Sequence, residues 1–324
     1  MGVLPSVEDV LGRVAMFSGR DLTTHRIVGG LSHQIYEVRA GGRSYVLRLL
    51  DPAVSAAGLG VPPGQEISNT MRAAESGVGA KVYEVVTDVD GSGCSALVLE
   101  FLPGRTLSAH DVRLPAMAGP IAAACRRLHA GPRFGNDFSI LSKRAELLAI
   151  CQQRDLPLPN GYLDRGSTVD RVGAALAATP PPTVPCHNDL LAENFIDSGG
   201  VIRIVDYQLA GNNDPSFELG DIAAEAQLDP DGAEALASAY FGVDLTPALV
   251  ARVRLNQLLS DITWTLWFAV HHAILRNPTS SFDYATEAND KWARAQSGMG
   301  APEFPRLLDA AAGIALARRR TDSV

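Results

Sequence analysis

The run His187-Asn188-Asp189-Leu190-Leu191-Ala192-Glu193-Asn194 places an aspartate and an asparagine five residues apart, and a second aspartate, Asp206, follows Asn194 by twelve residues in Ile204-Val205-Asp206. One carboxylate in such a set can orient a hydroxyl and accept its proton. An amide oxygen and a second carboxylate can hold Mg2+ against the phosphates of ATP. The five-residue step lets one loop serve both the hydroxyl and the metal, and the apolar segment Val201–Val205 can hold Asp206 rigidly. Phosphoryl transfer is mostly positioning and charge neutralisation, so Asp189, Asn194 and Asp206 can supply much of the local catalysis. Any one of the three alone reads as an ordinary polar loop residue; the spaced set does not.

Two features upstream fit the same chemistry. Gly29 and Gly30, followed by Ser32, allow a close approach of backbone to phosphate and a hydroxyl hydrogen bond, although the pattern is neither G-x-G-x-x-G nor a Walker A sequence. Arg48 interrupts the apolar strand Tyr45-Val46-Leu47-Arg48-Leu49, where a cation can reach phosphate oxygens, and Glu66 at the start of the next helical stretch can pair with it. A third group lies late in the chain. Asp261, Trp264, Trp267 and His271 fall on one helical stripe, with Tyr284 beyond. Aromatic faces beside a carboxylate attract ammonium groups, whereas the plainer alternative for this stripe is helix packing.

These residues need elements to position them. Ser6 and the apolar spacing of residues 5–19 predict a first helix. Period-two alternation then predicts two strands within 25–50, turning at Ala40-Gly41-Gly42-Arg43. Residues 51–65 read as a loop, Glu66–Glu75 as a helix, and Lys81–Thr87 and Ala96–Glu100 as strands. Phe101-Leu102-Pro103-Gly104 is a natural hinge. Beyond it, 115–130, 140–153 and the chain from Ser216 are helical, with a stiff proline-rich connector over 178–185 and short strands near 195–196 and 201–205. The fold class expected is α+β, with an antiparallel-sheet lobe over 1–103 that binds nucleotide and a mainly helical lobe over 104–324 that carries the catalytic loop and acceptor site.

Composition narrows the partners. The 324 residues carry a formal net charge of −8, so no broad basic surface for nucleic acid is expected; Arg318, Arg319 and Arg320 form the one basic cluster. No run of about 20 apolar residues predicts a membrane span. Cys94, Cys125, Cys151 and Cys186 are far apart and form no C-x-x-C pair, which predicts buried reduced thiols and a cytoplasmic protein; a monomer or homodimer is expected.

The chain resembles the choline/ethanolamine kinase branch of the aminoglycoside-phosphotransferase-like kinases. The resemblance runs from Gly29 to about Trp292, through Gly29-Gly30-Leu31-Ser32, Val46-Leu47-Arg48-Leu49, Phe101–Leu107, His187–Asn194 and Asp206–Gly220. Arg48, Trp264-Thr265-Leu266-Trp267 and Asp283-Tyr284-Ala285 are similar to that branch in particular. The resemblance implies a two-lobed protein-kinase-like fold, ATP and Mg2+ as cofactors, and a small-molecule alcohol as acceptor. It implies that Glu225 lies near the acceptor pocket lined by Trp264, Trp267 and Tyr284. One departure is Gln208, where relatives often carry Glu two residues after the metal aspartate. The expected acceptor is choline, ethanolamine or a similar amino alcohol. An aminoglycoside or macrolide phosphotransferase is the second enzyme class, and a nucleotide-binding pseudokinase the non-enzymatic one.

Overall fold

Ser6 caps a shorter helix than the spacing of residues 5–19 suggests. Helix α1 (Val7–Leu11) has a full capping box between Ser6 and Asp9 and stops at Gly12. The chain does not resume an α-helix, because the N–H groups of Ala15 and Met16 are drawn to the Glu84 carboxylate, leaving only a 3-10 turn at Ala15–Phe17. The computed structural model describes residues 4–27, 32–275 and 282–313. Gly29, Gly30 and the Arg318–Arg320 cluster lie outside the described residues.

Five strands follow: β1 (Leu22–Ile27), β2 (Gln34–Ala40), β3 (Arg43–Leu50), β4 (Val82–Val86) and β5 (Ser95–Glu100). They form one antiparallel sheet in the order β1-β2-β3-β5-β4. The β2–β3 hairpin turns at the predicted place, with Gly41 and Gly42 at φ 56° and 77°, a geometry that a Cβ resists. The edge strand β1 escapes prediction because its sequence, Leu-Thr-Thr-His-Arg-Ile, is mostly exposed and lacks a sustained apolar face.

The segment 51–65 is not the loop expected. Asp51 caps a helix α2 (Pro52–Ala56), and α3 (Pro63–Glu75) begins three residues before Glu66. Both helices carry proline at the start, where the missing N–H costs nothing. Glu66 therefore sits, buried, in the first turn of α3.

After the Phe101–Gly104 hinge come β6 (Arg105–Thr106), α4 (Ala109–Val112), α5 (Ala118–His129), α6 (Ile140–Gln153) and an unanticipated α7 (Gly166–Ala177). Short strands β7 (Val184–Cys186), β8 (Phe195–Asp197), β9 (Ile202–Ile204) and β10 (Gly211–Asn213) then alternate with functional loops. Strand β7 pairs with β10, and β8 lies between β6 and β9. The chain ends, among described residues, in α8 (Pro215–Glu225), α9 (Pro230–Phe241), α10 (Pro247–Ile274), α11 (Tyr284–Gly300) and α12 (Phe304–Ala311).

Two features position the site. Helix α10 is the axis of the helical region: Leu255, Leu259, Ile262 and Leu266 are buried in one cluster with Leu147 of α6 and Trp292 of α11. Gly220 lets α8 cross α10 closely, since a Cβ there would lie 2.6 Å from the Gln257 backbone nitrogen and 2.7 Å from the Val253 carbonyl. All four cysteines are buried and unpaired. No described helix is long and apolar enough to cross a membrane.

Candidate active site

Asp189 lies in the loop between β7 and β8, preceded by a residue in the left-handed region. Asn188 has φ 67°, a conformation that persists only where neighbours over-determine it. They do: its side-chain amide donates to the carbonyls of Cys186, Leu209 and Gly211 at 3.1–3.3 Å, and its oxygen accepts from Asn213 at 2.9 Å. His187 ties this loop to the strand before Asp206. Its Nδ1 accepts the Asp189 N–H at 3.2 Å, so Nε2 carries the proton and donates to the Val205 carbonyl at 2.9 Å. Burial lowers the His187 pKa and preserves that neutral form. Asn194 donates its amide N–H to the Asp189 carbonyl at 2.8 Å, so the amide nitrogen, not the oxygen, is turned toward that loop.

Arg48 and Glu66 meet as the sequence suggests. The Arg48 Nε donates to Glu66 at 2.9 Å, while its two terminal nitrogens grip both carboxylate oxygens of Asp206, one of them at 2.9 Å. One guanidinium thus links the sheet, α3 and the segment after β9. Asp206 itself has φ 72°. Burial pushes the carboxyls of Glu66 and Asp206 up, but Arg48 together with His33, and His187 at Asp206, holds both below their usual values.

His33 was not foreseen. Its Nδ1 accepts the Asp51 N–H at 3.1 Å, so its Nε2 proton faces Glu66 Oε2 at 3.3 Å. A single histidine in a polar stretch carries no pattern that could have flagged it. Ser32 is engaged as well. Gln208 donates to its hydroxyl at 3.2 Å and to the Leu59 carbonyl at 2.8 Å. A glutamate at position 208 has no proton at neutral pH to donate to either acceptor, which gives the departure a structural reason.

Around the Asp189 carboxylate the field is acidic. Burial, followed by the carboxylates of Asp221, Glu225 and Asp206, raises its pKa well above the ordinary range, and Lys291 opposes the shift. Glu225 is thus among the groups near Asp189. It is not bare: Lys291, only 1% exposed, donates to it at 2.7 Å and lies over the Phe268 ring at 5.8 Å. Asp261 is bound by Arg294 at 3.0 and 3.2 Å. It faces a cavity of about 200 Å³ with Arg254, Arg294 and Glu303, whose lining includes none of Asp189, Asn194, Asp206 or Glu225.

The aromatic stripe exists, with other partners than an open wall requires. Trp264 is buried and its indole N–H donates to Asp221 at 2.8 Å. Trp267 donates to the Leu59 carbonyl at 3.2 Å and lies 4.9 Å from the His271 ring, which in turn stacks on Tyr284 at 4.5 Å. Trp264→Phe removes the N–H from a buried carboxylate and should cost about 2 kcal/mol of stability. A melting curve should fall by several degrees while the acceptor KM stays within about threefold. A tenfold rise in that KM at an unchanged melting temperature would place the indole in the pocket instead.

Residues 23–254 match the phosphotransferase enzyme family, well over half of the chain. The chain belongs to this family, in its choline/ethanolamine kinase branch. A choline/ethanolamine kinase family protein from Mesorhizobium loti is 30% identical, with a TM-score of 0.76 over 94% of this chain and 97% of that one. LicA of Haemophilus influenzae is 22% identical over 75% of this chain and 72% of its own length. Human ethanolamine kinase 2 is 29% identical over 59% of this chain, and the match spans 55% of the human protein. Several other curated relatives are likewise matched over less than two thirds of their length. The sheet followed by helices is therefore the two-lobed protein-kinase-like fold, and the protein is a small-molecule phosphotransferase.

Proposed function

We propose that the protein moves the γ-phosphoryl group of ATP to the hydroxyl of a small amino alcohol of the choline or ethanolamine class. The observation that carries this is the convergence of Asp189, Asn194 and Asp206 on one pair of loops, joined by Arg48 to Glu66. Asp189 orients the acceptor hydroxyl and takes its proton during in-line attack. Arg48 contacts the phosphates and is fixed by Glu66, which His33 holds from its other side. Ser32, which accepts from Gln208, is assigned to the phosphate end, and Gly29 and Gly30 are assigned there on their sequence alone. Glu225, paired with Lys291, is one of the acidic groups beside Asp189, with Trp267 and Tyr284 as the aromatic candidates for the acceptor side.

The donor set suits Mg2+, a hard cation that prefers oxygen: the Asn194 amide points its N–H inward at Asp189, leaving oxygen to bind, and Asp206 adds a carboxylate. When bound, the ion neutralises phosphate charge. Asn194→Ala and Asp206→Asn are each expected to lose most activity and to raise the Mg2+ concentration needed for half-maximal rate. Saturation of both variants at the wild-type concentration would remove these residues from the metal site.

Lys291 and Arg294 already compensate Glu225 and Asp261, so little acid is left for a polycation. This supports an acceptor with a single charge over an aminoglycoside. The acceptor class is tested by comparing ethanolamine and choline with uncharged alcohols of the same shape, following ADP release. A kcat/KM preference of tenfold or more for the ammonium compounds is expected. Equal use of the neutral alcohols would move the protein to another acceptor class.

A further inference from the structure

The acid beside Asp189 already holds an ammonium group, and that group belongs to the chain. Lys291 on α11 is buried. Its Nζ donates to Glu225 Oε1 at 2.7 Å and lies over the Phe268 ring, 5.8 Å from its centre. A carboxylate and an aromatic face are the two partners that a bound ammonium seeks. A buried lysine is costly unless its charge is paired, and this one is paired with Glu225, an acid in the field around Asp189. Among the described residues Lys291 is the one side chain that hydrogen-bonds to Glu225, so Oε2 has no such partner there.

The neighbouring rings pack on one another. Phe282 stacks on Phe268 at 5.7 Å, and Tyr284 lies 6.2 Å from the same ring. Tyr284 stacks on His271 at 4.5 Å, and His271 lies 4.9 Å from Trp267. Trp264, Trp267, Phe268 and Tyr284 are all buried. A quaternary ammonium has no N–H, so it depends on open aromatic faces and bare charge. A primary ammonium has three donors and can place one on Glu225 Oε2, beside the bond from Lys291.

We infer that Lys291 is a specificity-determining residue: it occupies the cation seat of the acceptor side with its own ammonium, so that the enzyme takes primary-ammonium alcohols of the ethanolamine type in preference to quaternary ones of the choline type. The inference rests on the amino-alcohol reading above and narrows it. The Lys291 charge repels an incoming cation, and a hydrogen bond to Glu225 offsets that repulsion only for an acceptor that has an N–H to give.

The test is a series in which methyl groups replace N–H groups one at a time: ethanolamine, its N-methyl and N,N-dimethyl derivatives, and choline, with the uncharged carbon isostere of choline as reference. In the wild type kcat/KM should fall along the series by roughly tenfold or more, with the steepest step at choline, where the last N–H is lost. Choline used as well as ethanolamine would overturn the inference. Lys291→Met should raise the choline-to-ethanolamine ratio of kcat/KM by roughly tenfold or more, because the Phe268 face opens and Glu225 is bare. A ratio is read because any loss of turnover common to both acceptors cancels in it. Lys291→Met leaves a buried carboxylate unpaired and can unfold the protein, so Lys291→Met/Glu225→Gln is measured beside it. There the ring face is open and the carboxylate is gone, and ethanolamine should lose its advantage. A wild-type ratio in either folded variant would overturn the inference, and where neither folds the wild-type series decides alone. Choline preferred over both ethanolamine and the neutral isostere would end this inference and leave the amino-alcohol reading intact. The isostere used as well as ethanolamine, or transfer to none of these alcohols, would end that reading and the inference with it.

Discussion

Asp189→Asn is expected to lower kcat by about 100-fold or more, the upper part of the range for loss of a general base, while KM for ATP changes little. Asparagine keeps the size and one oxygen of the side chain, so the loop should stay in place. The contacts that set its path run through Asn188, His187 and Asn194, and those to Asp189 use its backbone N–H and C=O. The substitution also removes a charge from a crowded set that includes Asp221, Glu225 and Asp206, so stability should not fall and can rise. Steady-state kinetics with a melting curve separates the two effects. A stable variant with near-normal turnover would take Asp189 out of the mechanism.

The second large effect is expected at Arg48. Arg48→Met leaves the buried Glu66 and the half-buried Asp206 without their shared cation. Breaking a buried network by removing one partner costs about 3–5 kcal/mol. KM for ATP should rise together with this loss of stability. A double-mutant cycle with Glu66→Gln should show coupling of at least about 1 kcal/mol, because the two side chains are 2.9 Å apart; strict additivity would mean that the contact carries no energy. The pH dependence has a definite sign. The folded pKa of Glu66 lies below its usual value of 4.5, so its stabilising contribution is fully present above that value and is lost as the pH falls through the lower folded one. Wild type and Arg48→Met should therefore converge in stability only in strong acid.

Much of the Arg48–Glu66–Asp206 cluster and the Asp189 loop is legible in the sequence because its residues break a local pattern. Arg48 interrupts an apolar strand, Asp206 ends one, and Asp189 and Asn194 sit at a fixed step in a single loop. The hairpin at Gly41-Gly42 is legible for a similar reason, since two glycines between alternating runs leave few alternatives. The acceptor end is different. Helix α10 is buried on most of its faces, so a stripe of Trp264 and Trp267 shows that the residues share a side without showing what lies opposite. Trp264 finds Asp221 and Trp267 finds Leu59, contacts across 43 and 208 residues of chain. Lys291, Glu218 and Asp221 are charged residues in helices, a composition that reads as solvated surface. Their burial follows only from how α8, α10 and α11 pack, with α8 crossing α10 closely at Gly220. The edge strand β1 and the short helix α2 were missed for the opposite reason, being too short or too exposed to carry a periodicity.

The most direct test follows the phosphorus itself. Purified protein incubated with Mg·ATP and a mixture of amino alcohols can be monitored by 31P nuclear magnetic resonance. The γ-phosphate signal should decline as one phosphomonoester signal grows in equal amount, and the same mixture with Asp189→Asn should remain nearly unchanged over the same period. Loss of the γ-phosphate to inorganic phosphate alone, or no loss with any alcohol, would contradict phosphoryl transfer to an alcohol.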